Sequence, residues 1–348
     1  MIKILIIDDS ATDTALLKHI FEAEEDLEVI GCAQNGQEGI ELAEKLKPDL
    51  ITMDIQMPIM NGYEATRAIM MSNPIPIVVI SPTVNNKQLN TAFQALEAGA
   101  VSVIEKPVNV SSPEFSYICE RMVAIIRGMA EIKVIKQRFP KKIPSVPVAE
   151  QLAIRGRHET YEILAIGASV GGPQALKTLL SELPANFPLP IVIVQHMTAG
   201  FMTGFCTWLN EYCKLSVSCA GNLEVLKPGK IYFAPENIHL KIKRVNNQLV
   251  THLQQSAPVC GFIPSINVLF ESIAQACGKQ AIGILFTGMG KDGAQGLLEL
   301  KKVKAHTLIQ DEKSCVVFGM ASVALSLDAV DKIIELNQFV AYLCKLTQ

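Results

Sequence analysis

Residues 1–10 read MIKILIIDDS, a short β-branched apolar run that ends in two aspartates. A run of this length, bounded by turn-favouring polar residues, predicts a buried strand that ends at a loop. Residues 12–24 then show helical spacing, and a further apolar run follows them. Because parallel strands need crossover connections, strands that alternate with helices predict a parallel α/β sheet.

The same alternation continues through about residue 130 and predicts five strands, five helices and a small doubly wound domain. Its last helix is predicted over residues 113–138. The predicted strands are Ile2–Ile7, Leu27–Cys32, Leu50–Met53, Ile77–Ile80 and Ser102–Ile104.

Residues 139–160 contain three prolines and no clear periodicity, which favours a linker over an irregular extension of either half. A second alternation begins at Tyr161. Within it, Lys241–His252 with Asn246-Asn247 at its centre predicts a β-hairpin, and hence a mixed sheet. The predicted strands are Ile163–Ala168, Ile191–Gln195, Lys230–Ala234, Lys241–Val245, Leu249–His252, Ala281–Phe286 and Ala305–Ile309. The predicted helices are Pro173–Glu182, Gly204–Lys214, Ile266–Cys277, Ala294–Val303 and Ala321–Ser326.

Composition limits the class of protein. A length of 348 residues suggests about two domains, and 49% hydrophobic with 19% charged residues indicates a folded chain. The net charge of -3 argues against nucleic-acid binding by bulk positive charge. Nine cysteines without a CxxC pair favour reduced, mostly buried thiols. With no apolar run of membrane-spanning length and no signal-peptide pattern, we expect a cytoplasmic protein without direct membrane insertion.

Polar side chains follow successive strands of the first half. Asp8 and Asp9 follow the first strand, Asp54 the third, Ser81 the fourth and Lys106 the fifth. The carboxyl ends of parallel strands form one edge, where α/β sheets bind ligands. Three carboxylates there need a hard cation such as Mg²⁺, and a hydroxyl and an ammonium beside them suit a phosphoryl group on Asp54.

This set, with MDIQMPIMNG around Asp54, resembles a response-regulator receiver domain over residues 1–125. The resemblance implies a flavodoxin-like fold with a five-stranded parallel sheet, and phosphorylation of Asp54 by a histidine kinase. It also implies a cis bond at Lys106–Pro107. The implied Mg²⁺ ligands are Asp8, Asp9 and Asp54, and the implied phosphoryl-sensing residues are Ser81 and Lys106.

In the second half, Ser169 lies in AIGASVGGPQAL between a strand and a helix, where glycines allow a sharp turn. His196 ends the strand IVIVQH, and Asp292 lies in LFTGMGKDG. A serine nucleophile needs a base, and the base needs a carboxylate. Each residue alone suits a helix cap or a loop, and His239 suits a structural hydrogen bond, so the test is hydrogen-bond reach between Ser169 Oγ and His196 Nε2.

A competing interpretation is nucleotide binding. Residues 288–293, GMGKDG, match the GxGxxG pattern after a strand, and Asp311 follows at the spacing of a dinucleotide-binding fingerprint. Against it, Asp292 places a negative charge in the turn that must hold a pyrophosphate, and Ser169 and His196 stay unexplained.

The second half also resembles the catalytic domain of chemotaxis protein-glutamate methylesterases, the CheB family. The matching stretches include IGASVGGPQAL, QHMTAGF, APENIHL, PSINVLF, LFTGMGKDGAQG and IQDEKSCVVFGM. The resemblance implies a doubly wound, mostly parallel α/β esterase domain over residues 161–348, with a helix end and linker at 126–160. The implied triad is Ser169, His196 and Asp292, with the Met289 backbone amide as oxyanion donor. Three positions depart from the family pattern: Val170, Asn267 and Ala321.

The resemblance implies a phosphorylation-activated serine hydrolase that demethylates glutamyl methyl esters of chemoreceptor cytoplasmic domains and deamidates receptor glutamines. The implied partners are those receptors and a histidine kinase. No cofactor is expected for the esterase reaction, and no nucleic-acid partner is expected. The alternatives are a catalytically weakened, phosphorylation-switched adaptor and a dinucleotide-binding enzyme.

Overall fold

The structure is a computed structural model, and it describes residues 1–81, 93–107, 115–130, 134, 161–198 and 200–347. Its first half is a five-stranded parallel sheet in the order β2-β1-β3-β4-β5. Helices cover both faces of this sheet, so its central strands are continuous apolar runs in which residues such as Leu5 and Ile51 are fully buried. The strands are β1 Ile2–Ile7, β2 Leu27–Ala33, β3 Leu50–Met53, β4 Ile77–Ser81 and β5 Ser102–Glu105.

Helices of this half begin where polar side chains cap them. The side-chain oxygens of Ser10, Asn35 and Asn61 each accept a hydrogen bond from a backbone amide of the first helical turn. The helices are α1 Ala11–Glu22, α2 Gly36–Leu46, α3 Gly62–Ser72 and α4 Phe115–Ala130, and residues 93–97 are also helical. Residues 113–114, 131–133 and 135–138 of the predicted last helix and the predicted linker at 139–160 lie outside the described residues, and Val134 is not helical.

The second half is built on a seven-stranded sheet in the order β14-β13-β12-β6-β7-β9-β8. Its strands are β6 Ile163–Ala168, β7 Ile191–Gln195, β8 Ser216–Cys219, β9 Lys230–Phe233, β12 Ala281–Leu285, β13 His306–Gln310 and β14 Lys332–Ile334. Its helices are α5 Gly172–Glu182, α6 Met202–Asn210, α7 Ile266–Cys277, α8 Ala294–Lys302, α9 Gly319–Ser326 and α10 Phe339–Leu346.

The predicted hairpin is present, but the expectation of a mixed sheet was wrong. Strands β10 (His239–Val245) and β11 (Gln248–Gln254) pair as a separate antiparallel sheet, while every pair in the seven-stranded sheet is parallel. The hairpin covers its apolar residues against helix α7, whose Ser272 hydroxyl accepts a hydrogen bond from the Ile242 amide at 2.9 Å. It therefore needs no place in the large sheet.

Three further expectations need correction. Strands β8 and β14 were not predicted, because edge strands of three or four residues give little periodicity. Helix α10 was not predicted either. Within the described ranges the cis peptide bond is Ile263–Pro264 and not Lys106–Pro107; proline allows either isomer at small cost, so the sequence alone does not decide it. All nine cysteines are free thiols as expected, but only Cys206 and Cys277 are buried.

The receiver-like half packs against the second half near the carboxyl edge of the larger sheet. The Phe93 ring stacks on Trp208 with centroids 5.5 Å apart, and Lys177 forms an ion pair with Glu97. Val170, which follows Ser169, packs against the core beneath helix α4. On α4 itself, a Cβ added at Gly128 would lie 2.2 Å from Met289 Sδ. Helix α4 therefore lies over the loops that carry Ser169 and Met289.

Candidate functional site

The first candidate site is the acidic cluster after β1 and β3. Asp8, Asp9 and Asp54 each bring one carboxylate oxygen within 4.8 Å of the others. Lys106 lies among them, with its Nζ 2.8 Å from Asp8 Oδ2 and 3.5 Å from Asp54 Oδ1. Ser81 ends β4 and, with Asp54 and Lys106, lines a cavity of about 200 Å³. All five predicted residues of this site are thus brought together.

Charge in this cluster is only partly balanced. Burial of Asp54, opposed by Lys106 but reinforced by Asp8, raises the pKa of its carboxyl to about 6. Burial works against the charge of Lys106, but hydrogen bonds to Asp13 and Asp8 outweigh it and raise the pKa of this ammonium. The donors are all carboxylate oxygens with excess negative charge, buried at Asp8 and Asp54 and exposed at Asp9, and such a set fits a hard divalent cation such as Mg²⁺.

The raised pKa of Asp54 predicts a pH-dependent stability. Because protonation favours the folded state, this carboxyl stabilises it fully below about pH 3.8 and loses that contribution as the pH rises through about 6. Asp54→Asn removes the buried charge and should stabilise the chain at pH 8 by ~1–3 kcal/mol without divalent cations. Thermal unfolding in EDTA should show a higher Tm for the variant at pH 8, and the difference should shrink towards pH 4. Equal Tm values at pH 8 would contradict the electrostatic account.

Sequence reasoning missed Asp13. Its Oδ2 accepts a hydrogen bond from Lys106 Nζ at 2.8 Å, so it shares the ammonium with Asp8. Asp13 lies in the first turn of α1, where an acid ordinarily complements the helix dipole. The available signal was a third acid close to DD in DDSATD.

The second candidate site lies at the carboxyl ends of β6, β7 and β12. Ser169 follows β6, and its carbonyl accepts a hydrogen bond from Gln195 Nε2 at 2.8 Å. The His196 amide donates to the Ala168 carbonyl at 2.9 Å, which places His196 beside the Ser169 turn. Gly171 makes the turn with φ 76°, a left-handed conformation that favours glycine.

Asp292 is fully buried and orients His196. His196 Nε2 lies 2.9 Å from Asp292 Oδ2. The carboxylate also accepts hydrogen bonds at 2.7–3.1 Å from the Ser265 hydroxyl and from the amides of Ile266, Asn267 and Gly293. Burial alone would raise the pKa of Asp292, but the hydrogen bonds and charge of these partners, His196 first, hold that pKa below its usual value. Asp292 is therefore a fixed carboxylate at the N-terminus of α7.

The two ring nitrogens of His196 have the opposite orientation to the one expected from the sequence, in which Nε2 would face Ser169 Oγ; in the structure Nε2 faces Asp292. Because Nε2 faces Asp292, the nitrogen left to accept a proton is Nδ1, which is buried and has no hydrogen-bond partner among the described residues. Ser169 Oγ likewise makes no hydrogen bond to the part of the chain that the structure describes. Hydrogen bonds of a catalytic serine are often incomplete without substrate.

The glycine-rich turn at residues 288–293 contains Asp292, whose carboxylate occupies amides that a pyrophosphate would need. At the start of α8, the helix that follows this turn, the Gly293 amide donates to Asp292 Oδ1 at 3.0 Å and the Gly296 amide donates to Asn267 Oδ1 at 2.7 Å. Asp311 accepts from the Lys313 amide at 3.2 Å and forms a hydrogen bond with Ser314. The dinucleotide interpretation is therefore not favoured. Within the described residues the Met289 amide makes no hydrogen bond, whereas the Gly288 amide on one side of it donates to Val317.

His239 has the structural role that its sequence position favoured. It is fully buried, its Nδ1 accepts from the Ser265 amide at 3.1 Å and its Nε2 lies 3.2 Å from the Ala257 carbonyl. Of the three departures from the family pattern, Asn267 is the most engaged, since its Oδ1 accepts from the Gly296 amide at 2.7 Å. Ala321 is fully buried in α9.

Comparisons with known proteins cover almost the whole chain. Residues 164–343 match the family model for CheB methylesterase, and residues 4–112 match that for the response regulator receiver domain. Among the described residues no helix combines the length and apolarity needed to cross a bilayer.

Curated relatives align from end to end. A protein-glutamate methylesterase/protein-glutamine glutaminase of Geobacter metallireducens is 41% identical over 351 residues, with 99% of each chain covered. One from Methanospirillum hungatei is 42% identical, with 94% of this chain and 93% of the relative covered. The crystal structure of the Thermotoga maritima CheB methylesterase catalytic domain matches with a TM-score of 0.53 and 33% identity, covering 54% of this chain and 99% of that one. The chain therefore belongs to the CheB methylesterase family, with a response-regulator receiver domain preceding the methylesterase domain.

Proposed function

We propose that this protein is a phosphorylation-activated protein-glutamate methylesterase and protein-glutamine glutaminase that acts on the cytoplasmic domains of chemoreceptors in chemotaxis. The observation that carries the proposal is the His196–Asp292 contact of 2.9 Å beside the Ser169 turn, in a chain of this family. The Asp292 carboxylate is held by five hydrogen-bond donors, as an intact catalytic site requires. The alternative of an adaptor that has lost catalytic activity is therefore not favoured.

The mechanism assigns one role to each residue. Ser169 Oγ attacks the carbonyl carbon of the glutamyl methyl ester while His196 Nδ1 takes its proton, and the imidazolium then protonates the departing methoxide to give methanol. Asp292 holds the imidazole tautomer with the proton on Nε2 and stabilises the imidazolium. Water, deprotonated by His196, then attacks the acyl-enzyme; the imidazolium returns the proton to Ser169 Oγ, and the receptor is left with a glutamate side chain. With a glutamine substrate the same steps release ammonia.

The tetrahedral intermediate carries a negative oxygen that needs donors. The Met289 amide, which has no other partner among the described residues, is the proposed oxyanion donor. A donor of this kind contributes roughly 3–4 kcal/mol to the transition state. The tight packing of Gly128 against the Met289 side chain places this donor under helix α4 of the receiver domain.

The receiver domain is the proposed switch. Asp8, Asp9 and Asp54 would hold Mg²⁺, which supplies charge neutralisation for phosphorylation of Asp54 by a histidine kinase. A phosphoryl group adds about -2 charge and competes for Lys106, which now binds Asp8 and Asp13. Movement of Ser81 and Lys106 towards it would shift the neighbouring elements, including residues 93–97 and α4, and so uncover Ser169.

Asp54→Asn tests the switch. Methanol release from methylated receptor membranes should rise several-fold when a small-molecule phosphodonor and Mg²⁺ are added to the parent protein, and the variant should show no rise. Asp49→Asn is the matched control, because Asp49 is exposed at the opposite end of β3, and it should respond like the parent. An unchanged phosphodonor response in Asp54→Asn would remove Asp54 as the phosphoacceptor.

A further inference from the structure

Phe262 lies flat on the imidazole of His196. The two ring centroids are 3.8 Å apart and the planes are within 3° of parallel. His196 is thus held in two directions, by Asp292 at its Nε2 edge and by Phe262 on one face. None of the steps assigned so far uses Phe262.

A tight turn presents the Phe262 ring. The Val259 and Phe262 backbones exchange hydrogen bonds of 3.2 and 3.0 Å, which close a two-residue turn at Cys260 and Gly261. Both turn residues have positive φ, 54° and 83°, as a type I′ turn requires. Because Cys260 adopts this conformation without being glycine, surrounding contacts must hold the turn.

Asn267 supplies one such contact. Its Nδ2 donates to Cys260 Sγ at 3.5 Å, while its own amide donates to Asp292 Oδ1 at 3.1 Å. The N-terminus of α7 therefore ties the aromatic support and the carboxylate of His196 to one rigid element. A ring clamped on its face and its edge loses little freedom when the proton is transferred.

The stacking also has an electrostatic consequence. When His196 accepts the Ser169 proton it becomes an imidazolium, and the face of an aromatic ring attracts a cation, more strongly in a desolvated site. The His196 side chain is only 5% exposed. Since this attraction develops with the charge, it acts in the transition state more than in the substrate complex and raises kcat.

We propose that Phe262 is a positioning residue of the esterase reaction, which fixes the plane of His196 and stabilises the imidazolium through its aromatic face. The inference rests on the proposed function, because it assigns His196 as the general base. It predicts that aromatic character at residue 262, and not bulk alone, sets the turnover.

The test compares aromatic and aliphatic side chains at residue 262 in the full-length protein. With phosphodonor and methylated receptor membranes, Phe262→Leu and Phe262→Met should each lower kcat for methanol release about 3- to 10-fold with little change in KM. Phe262→Tyr and Phe262→Trp should retain most of the parent kcat. Tyr63→Leu removes a half-buried aromatic ring from helix α3 of the receiver domain and should leave kcat near the parent value.

A spectroscopic measurement separates stacking from general packing. The Phe262 ring current shields the His196 ring protons, so their NMR signals, assigned with His196→Gln, should move downfield in Phe262→Leu and stay in place in Phe262→Tyr. The inference is overturned if Phe262→Leu keeps kcat within twofold of the parent, or if Phe262→Tyr loses as much as Phe262→Leu. A parent protein that releases no methanol would instead reject the proposed function.

Discussion

Ser169→Ala should lower methanol release from methylated receptor membranes by ~10⁴- to 10⁶-fold, to a level set by substrate binding and the oxyanion donors alone. The Ser169 hydroxyl makes no hydrogen bond to the described residues, so its loss leaves no buried partner unsatisfied. The hydrogen bonds that Ser169 makes in the turn between β6 and α5 use its backbone amide and carbonyl, which alanine keeps. The variant should therefore unfold at the parent temperature.

This combination of lost turnover and retained Tm is the decisive result. Ser218→Ala provides a matched control, since Ser218 lies on β8, away from the carboxyl end of β6. Glutaminase activity, followed as ammonia release, should fall in parallel with methanol release in Ser169→Ala, because both reactions use one nucleophile. Full methanol release by Ser169→Ala would refute the assignment of the nucleophile.

Asp292→Asn should lower turnover by ~10³- to 10⁴-fold and, unlike Ser169→Ala, should also destabilise the protein. The neutral amide no longer holds the proton on His196 Nε2. Its NH₂ group also faces donors, because the position accepts from Ser265, Ile266, Asn267 and Gly293 as well. Unsatisfied buried donors of this kind cost ~2–4 kcal/mol in total.

Thermal unfolding and methanol release of the same preparation measure both effects. Asp328→Asn is the matched control, because the Asp328 side chain is 95% exposed in its ion pair with Lys301 and should change neither quantity. An Asp292→Asn protein with more than a tenth of the parent turnover would exclude Asp292 from the role of orienting His196.

Most of the fold follows from the sequence, because buried parallel strands leave continuous apolar runs. Strands β1, β3, β6 and β7 have the predicted bounds, and so does helix α7. The hairpin itself was predicted, but its separation from the large sheet does not follow from the local pattern. Its apolar residues would be buried equally well by pairing with the sheet or by packing on a helix. The choice depends on contacts distant in sequence, such as that of Ile242 with Ser272.

The candidate site divides in the same way. Residues at strand ends, such as Asp54 and His196, are predictable because topology brings those ends together. The nitrogen that faces Asp292 depends on the rotamer of one ring, which no sequence pattern encodes. Phe262 contacts His196 from a loop, and Asp13 contacts Lys106 from the start of a helix. In the sequence alone, residues at such positions look like ordinary turn or helix-cap residues.

The glycine on helix α4 that rests against Met289 bears on how such two-domain chains diversify. Any larger residue at Gly128 would have to displace Met289 Sδ, which lies 2.2 Å from the position of an added Cβ. A foreign receiver grafted onto this esterase must therefore bring a helix surface that fits that side chain as well as a working phosphorylation site. The two halves have independent topologies, but a change at Gly128 or at Met289 requires a compensating change at the other residue.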